Sequence, residues 1–177
     1  MVAQLGKRLH DLIIGHGKFN YSIVESLAGD LIIYGTESCL MGVGFLRARN
    51  WAYERETWVE RPEAFVGVIG QLRGYFSGTL KRFEVPICLS GTEFQQSVYR
   101  QLLAIPYGET RSYSDIAEAV GNKKAVRAVG HANSKNPIAI VVPCHRVIGQ
   151  DGSLTGFAGG IEVKKMLLKL EKAMSLK

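Results

Sequence analysis

The sequence is poor in cysteine, proline, tryptophan and long apolar runs, and each shortage excludes something. Its three cysteines, Cys39, Cys88 and Cys144, are an odd number at wide, unpatterned spacing. That pattern speaks against a disulfide framework and for a reducing compartment. There is no Cys-x-x-Cys, and His10 and His16 do not share a helical face. A metal site is therefore not expected unless the fold brings Cys39 or Cys88 to a histidine. No stretch approaches the roughly 18 uninterrupted apolar residues of a membrane span, and residues 1–7 lack the apolar core of a secretory signal. These absences point to a soluble, cytoplasmic chain with no membrane partner. Acidic residues are also the minority, 16 against 22 basic ones, for a net charge of +6. A polyanionic partner fits that sign, but the sign alone does not select nucleic acid.

What is present is enough for a sizeable core: 46% of 177 residues are hydrophobic. Residues 21–27 and 31–34 are short apolar runs joined across Ala28-Gly29-Asp30, the pattern of a hairpin, and residues 40–46 supply a third strand. Pro62-Glu63 opens a helix that runs towards Tyr75-Phe76 and stops at Ser77-Gly78. The character changes over residues 86–91, which we take as a domain boundary. An α/β unit with a small antiparallel sheet is expected over 1–88, with 1–20 an unassigned arm, and a mainly helical unit over 89–177. The second unit starts with a capping box, Thr92-Glu93-Phe94-Gln95, and a helix bearing Phe94, Val98 and Leu102 at spacings of four.

Two segments of the second unit carry chemistry. Residues 112–120 read as a short helix, Gly121-Asn122 as a tight turn, and a further helix starts near Lys123, which together form a helix-turn-helix. Projection at 100° per residue puts Ala125, Val126 and Val129 inward, and Lys123, Lys124, Arg127, His131 and Ser134 outward. Downstream, the apolar run 138–142, bounded by Pro137 and Pro143, reads as a short buried strand. It delivers Cys144, His145 and Arg146 together at its end. A cysteine beside a base or cation is an activated nucleophile. Free cysteine is also a common small core residue, so the dipeptide alone does not separate nucleophile from packed thiol.

Taken in order, Tyr107-Gly108-Glu109-Thr110-Arg111-Ser112-Tyr113-Ser114-Asp115-Ile116-Ala117, Ala125-Val126-Arg127-Ala128-Val129-Gly130, Asn136-Pro137, Val142-Pro143-Cys144-His145-Arg146-Val147-Ile148 and Gly156-Phe157-Ala158-Gly159-Gly160 resemble the O6-alkylguanine-DNA alkyltransferases. The match in order and spacing runs from about Phe94 to Glu171. The N-terminal half is similar less specifically, through Ala28-Gly29-Asp30-Leu31 and the segment 71–78.

The resemblance implies an α/β N-terminal domain and a winged-helix-like helix-turn-helix domain. It implies a protein that flips an alkylated guanine from double-stranded DNA and moves the O6-alkyl group irreversibly to its own cysteine. O4-alkylthymine is the expected second substrate. It implies binding through the minor groove, which suits the small residues Ala128, Gly130 and Ala132. It also implies action as a monomer with no cofactor, no metal and no obligatory protein partner.

Residue by residue, Cys144 corresponds to the acceptor, His145 to its base through a bridging water, and Glu171 to the group that orients the histidine. Glu171 projects at the edge of the final helix's apolar stripe, Val163, Met166, Leu167 and Leu170. A carboxylate there needs a partner. Tyr113 corresponds to the tyrosine that assists base rotation and donates to the departing guanine, and Asn136 to the asparagine joining the helix-turn-helix to the cysteine. Arg127 corresponds to the residue that fills the space of the flipped nucleotide. Val147 and Ala158 would line the base pocket, and Ser114, Asn122, Lys123 and Gln95 would lie along the DNA. Ala158 lacks the hydroxyl some members carry there, and His131 stands where small residues are usual. Readings of a different class remain open at this point: a lesion sensor without chemistry, which would carry tryptophan for Cys144, a transcription regulator, and a Cys-His hydrolase.

Overall fold

The computed structural model describes residues 19–48 and 57–173. His10, His16 and most of the unassigned arm lie outside them. Strands β1 (Asn20–Val24), β2 (Leu31–Gly35) and β3 (Leu40–Phe45) form the expected antiparallel meander. The hairpin turn between β1 and β2 puts Gly29 in the left-handed region, and the Ser26 hydroxyl bonds its carbonyl. A two-residue strand β4 (Val59–Glu60) then pairs in parallel with β1, so the sheet order is β3-β2-β1-β4. The sheet is thus mixed and not purely antiparallel. Alternation in β1 to β3 reports their mutual pairing but says nothing of a late edge strand.

Pro62 begins a 3-10 turn that leads into helix α1 (Val66–Phe76), closed by Ser77. Helix α2 (Glu93–Leu103) starts at the capping box read from the sequence: Thr92 accepts from the Gln95 amide, and the Gln95 side chain accepts from the Thr92 amide. Its buried face is Val98, Tyr99 and Leu102. Ser112 caps helix α3 (Tyr113–Ala119) in the same reciprocal way with Asp115. Helix α4 (Val126–Ser134) follows, and α2, α3 and α4 pack on one another. The turn between α3 and α4 runs through Gly121 at φ 81°, where a side chain would be strained. It is longer than the sequence reading allowed, because the Asn122 side chain accepts from the Lys124 amide and its carbonyl from Ala125. Lys123 and Lys124 therefore belong to the turn and not to the helix. Strands β5 (Arg111–Ser112) and β6 (Val147–Ile148) pair in parallel, and helix α5 (Ile161–Leu170) ends the described chain.

The apolar run 138–142 is buried as expected, but it is a tight turn and not a strand. Val142 donates to the Ile138 carbonyl and Val141 to the Ala139 carbonyl, with Ile140 at φ 72°. A β-branched residue in that region costs about 1–3 kcal/mol and persists only where its surroundings impose it. Here they do: β3 bridges Val43 to Ile138, with the Val43 amide on Pro137 and the Ala139 amide on Val43. Residues of both halves, such as Ile33, Val43, Leu72, Val98, Val129, Ile138 and Leu167, share one continuous core.

Cysteine counting was misleading. Cys39 and Cys88 are joined in a disulfide across 49 residues of sequence. The partners meet because Leu40 pairs with the 86–88 segment, its amide on the Pro86 carbonyl and its carbonyl on the Cys88 amide. With Cys144 the one free cysteine, the cysteine pattern no longer argues for a reducing compartment. Closing a loop of 49 residues stabilises by about 4 kcal/mol on chain-entropy grounds. The double variant Cys39→Ser/Cys88→Ser should accordingly unfold roughly 10 °C below the parent in a thermal scan. Equal midpoints would mean the bond contributes nothing.

Candidate active site and DNA-binding surface

Cys144 opens a one-turn 3-10 helix, Cys144–Arg146, immediately after the tight turn. It is only 5% exposed. Asn136, at the end of the α4 connection, donates to the Val142 carbonyl (2.8 Å) and accepts from the Ile138 amide (3.0 Å). Asn133 on α4 donates to the Cys144 carbonyl (3.3 Å). Helix α4 and the cysteine turn are thus tied together by two asparagines.

Beneath Cys144 lies a buried polar network centred on Glu171, itself 2% exposed at the end of α5. His145 Nε2 is 2.9 Å from Glu171 Oε1. Arg146 donates to the same carboxylate through Nε (2.8 Å) and Nη2 (3.0 Å), and caps the Ile105 carbonyl with Nη1. The Tyr75 hydroxyl donates at 2.6 Å and the Gly108 amide at 3.3 Å. Burial would raise the Glu171 carboxyl, but the bonds from His145, Arg146 and Tyr75 outweigh it and hold it at about 2. Burial, partly offset by Glu171, pushes His145 down, which favours the neutral ring. Burial raises the Cys144 thiol, with Asn136 and the Lys164 ammonium pulling it back.

Lys164, fully buried on α5, was not foreseen. Its ammonium donates to the carbonyls of Val147 (2.6 Å) and Thr155 (3.1 Å) and sits 6.0 Å from the Tyr113 ring centre. Burial brings it down to about 8. It thereby links strand β6, the 155 loop and the tyrosine. The expected apolar stripe of α5 packs on the core, with Leu167 fully buried and Val163, Met166 and Leu170 half-buried, but Leu168 and Lys164 are fully buried as well. A lysine three residues before a buried leucine was the available signal. Tyr75 and Arg146 were also missed as network members, although Tyr75 follows Leu72 by three on one buried face of α1.

The remaining expected positions divide. Tyr113 is half-buried at the start of α3, and its hydroxyl accepts from Thr155 Oγ1 at 3.0 Å. Val147 is buried, and Ala158 is exposed in the loop before α5. Arg127 and His131 are exposed on α4, beside the exposed turn residues Asn122, Lys123 and Lys124. All four positions expected along the DNA already have partners, Asn122 through the Lys124 amide. Gln95 is held in its capping box, Lys123 pairs with Glu118 (2.7 Å), and Ser114 donates to Gln150 (3.3 Å). Among the described residues no cluster of three or more His, Cys, Asp or Glu could hold a metal ion.

Comparison with known proteins gives the same two halves. Residues 20–89 match the family model described as 6-O-methylguanine DNA methyltransferase, ribonuclease-like domain, and residues 93–173 match its DNA binding domain. The chain belongs to the 6-O-methylguanine DNA methyltransferase family. The methylated-DNA–protein-cysteine methyltransferase of Methanosarcina acetivorans is 51% identical over 151 residues, covering 85% of this chain and 97% of that protein. The one from Mycobacterium tuberculosis is 49% identical over 154 residues, covering 87% and 93%. The crystal structure of the Mycobacterium tuberculosis O6-methylguanine methyltransferase superposes with a TM-score of 0.83 at 48% identity, covering 89% of this chain and 95% of that one. The same Mycobacterium tuberculosis protein in complex with DNA gives 0.81 at 49% identity, covering 87% and 93%.

The Glu171 network makes an acid-stability prediction. A carboxyl held at about 2 in the fold against 4.5 when free stabilises the folded state fully above about pH 4.5. That contribution, about 3 kcal/mol, is lost as pH falls towards 2. Urea unfolding followed from pH 6 to pH 2.5 should show the folding free energy dropping over this range. A flat profile would mean that Glu171 titrates normally.

Proposed function

We propose that the protein repairs alkylated DNA by direct reversal, taking the O6-alkyl group of guanine, and the O4-alkyl group of thymine, onto Cys144. The observation that carries this reading is the free, buried Cys144 next to His145, whose Nδ1 has no hydrogen-bond partner among the described residues. A buried nitrogen without a partner is costly. Here it is the acceptor ready for the thiol proton, directly or through one water. The thiolate attacks the alkyl carbon, the S–C bond forms as the C–O6 bond breaks, and the guanine departs with a proton supplied by the Tyr113 hydroxyl. The thioether has no route back, so each molecule reacts once. Lys164, Val147 and Thr155 hold the walls through which the base enters.

DNA binding is supported by the helix-turn-helix and by the relative solved with DNA. Exposed Arg127 on α4 suits insertion into the space of the flipped nucleotide, and Asn122, Lys123 and Ser114 suit phosphate contact. Half-buried Gly130 and exposed Ala128 keep the helix surface thin, which favours a minor-groove approach. A single chain supplies every group named, so we take the working unit to be a monomer, acting in a prokaryotic cytoplasm as its archaeal and bacterial relatives suggest.

Incubation with duplex DNA containing O6-methylguanine, followed by intact-mass and peptide analysis, tests the proposal. One added methyl per molecule, on Cys144, is expected, and none in Cys144→Ser, whose hydroxyl is far less ionised. Methyl on Cys144→Ser would overturn the assignment. In the same assay Arg127→Ala should lose far more rate on duplex DNA than on free O6-benzylguanine. Equal losses would remove Arg127 from base flipping.

A further inference from the structure

Tyr75 belongs to the N-terminal half, yet its hydroxyl sits inside the network that holds His145. The ring is fully buried and fixed on three sides, with Phe76 at 5.4 Å, Phe83 at 5.4 Å and Tyr107 at 6.2 Å between centres. Burial, reinforced by the nearby Glu171 charge, pushes the phenol far above its ordinary range, so it keeps its proton. That single hydrogen goes to Glu171 Oε1 at 2.6 Å, because an ionised carboxylate has none to give. What the Tyr75 oxygen then offers His145 Nε2, 3.4 Å away, is a lone pair. Glu171 Oε1, at 2.9 Å from the same nitrogen, offers lone pairs as well. Two acceptors converge on Nε2, so Nε2 carries the hydrogen, and the lone pair of the neutral ring falls on Nδ1, the atom without a partner.

We propose that Tyr75 is a positioning residue of the transfer reaction: together with Glu171 it locks His145 as the Nε2–H tautomer and leaves Nδ1 free to take the Cys144 proton. The N-terminal half thereby completes the reaction site instead of merely supporting it. This rests on the reading of His145 as the base. The charged and titratable groups acting on the imidazole are Glu171 and Lys164 from α5 and its end, Arg146 from its own turn, and Tyr75 from α1. Tyr107 faces Glu171 from the loop after α2. Of these, Tyr75 is the one whose hydroxyl touches both His145 and Glu171, and it can be removed without changing a charge. Losing its hydroxyl leaves the Glu171 anion with one donor fewer. The acceptor lost with it is a long contact, 3.4 Å from Nε2, weaker than the 2.6 Å bond to the anion, so the imidazolium form of His145 is favoured and its pKa rises.

The test is Tyr75→Phe, with the His145 ring followed by nitrogen-15 NMR and single-turnover transfer from free O6-benzylguanine measured across pH. In the parent, His145 should be the Nε2–H tautomer. In Tyr75→Phe the imidazole titration should move up by roughly half a pH unit. The acid limb of the rate profile should move with it, while the high-pH plateau is kept. Should Tyr75→Phe fold poorly, 3-fluorotyrosine placed at position 75 alone gives a stronger donor of nearly the same shape, and it should move the titration the opposite way. An unmoved His145 spectrum, with the rate unchanged or lowered equally at every pH, would overturn the proposal and leave Tyr75 a packing residue. A moved titration with an unmoved rate profile would leave Tyr75's hold on the ring standing and would instead sink the reading of His145 as base.

Discussion

A single buried carboxylate, Glu171, sets the terms for the rest of the molecule. Taken out of water alone, it would be neutralised or expelled. It stays ionised because the Arg146 fork, the His145 ring, the Tyr75 hydroxyl and the Gly108 amide all converge on its two oxygens. The four donors come from three stretches of chain: Arg146 and His145 from the turn that carries Cys144, Tyr75 from α1, and Gly108 from the loop between α2 and α3. The final helix must end where it does for the carboxylate to reach them. The arrangement that solves an electrostatic problem in the core also sets two oxygens, the Tyr75 hydroxyl and Glu171 Oε1, beside Nε2 of His145.

A second constraint runs through the backbone. Strand β3 pairs with residues 137–139 and so presses the next residues into a tight turn, with Ile140 left-handed. Asn136 clamps the same turn from the side of α4. Phe45, at the end of β3, meets Phe157 edge to face at 5.3 Å, and its ring lies 3.0 Å from where any side chain on Gly159 would begin. The N-terminal sheet thus braces both the cysteine turn and the loop before α5. Rigid support of this kind is what a nucleophile needs if it is to meet an alkyl carbon in line.

What could be read from the sequence was local. Thr92 and Gln95 announce the start of α2 because a capping box is closed within four residues, and Ser112 to Ala132 show the helix-turn-helix through their own periodicity. The cysteine, its histidine and Glu171 were legible through motif order and an unexplained carboxylate at the edge of a stripe. What escaped depends on contacts between distant segments. The run 138–142 has the composition of a strand, and only Val43 and Asn136 make it a turn. Cys39 and Cys88 meet because Leu40 pairs beside Pro86. For Tyr75 and Lys164, periodicity can show which face is buried, but not which polar atom waits at the end of a long side chain.

The most direct test of the carboxylate's central place is Glu171→Gln, a change of one atom and one charge. The account predicts that folding stability and alkyl transfer fall together. Arg146 would be left buried without its counter-charge, at a cost of roughly 3–5 kcal/mol, and His145 would lose the anion that orients it. Urea unfolding and single-turnover transfer from free O6-benzylguanine on the same preparation measure both. A variant as stable as the parent and equally fast would contradict the account, because neither the fold nor the reaction would then depend on the charge at Glu171.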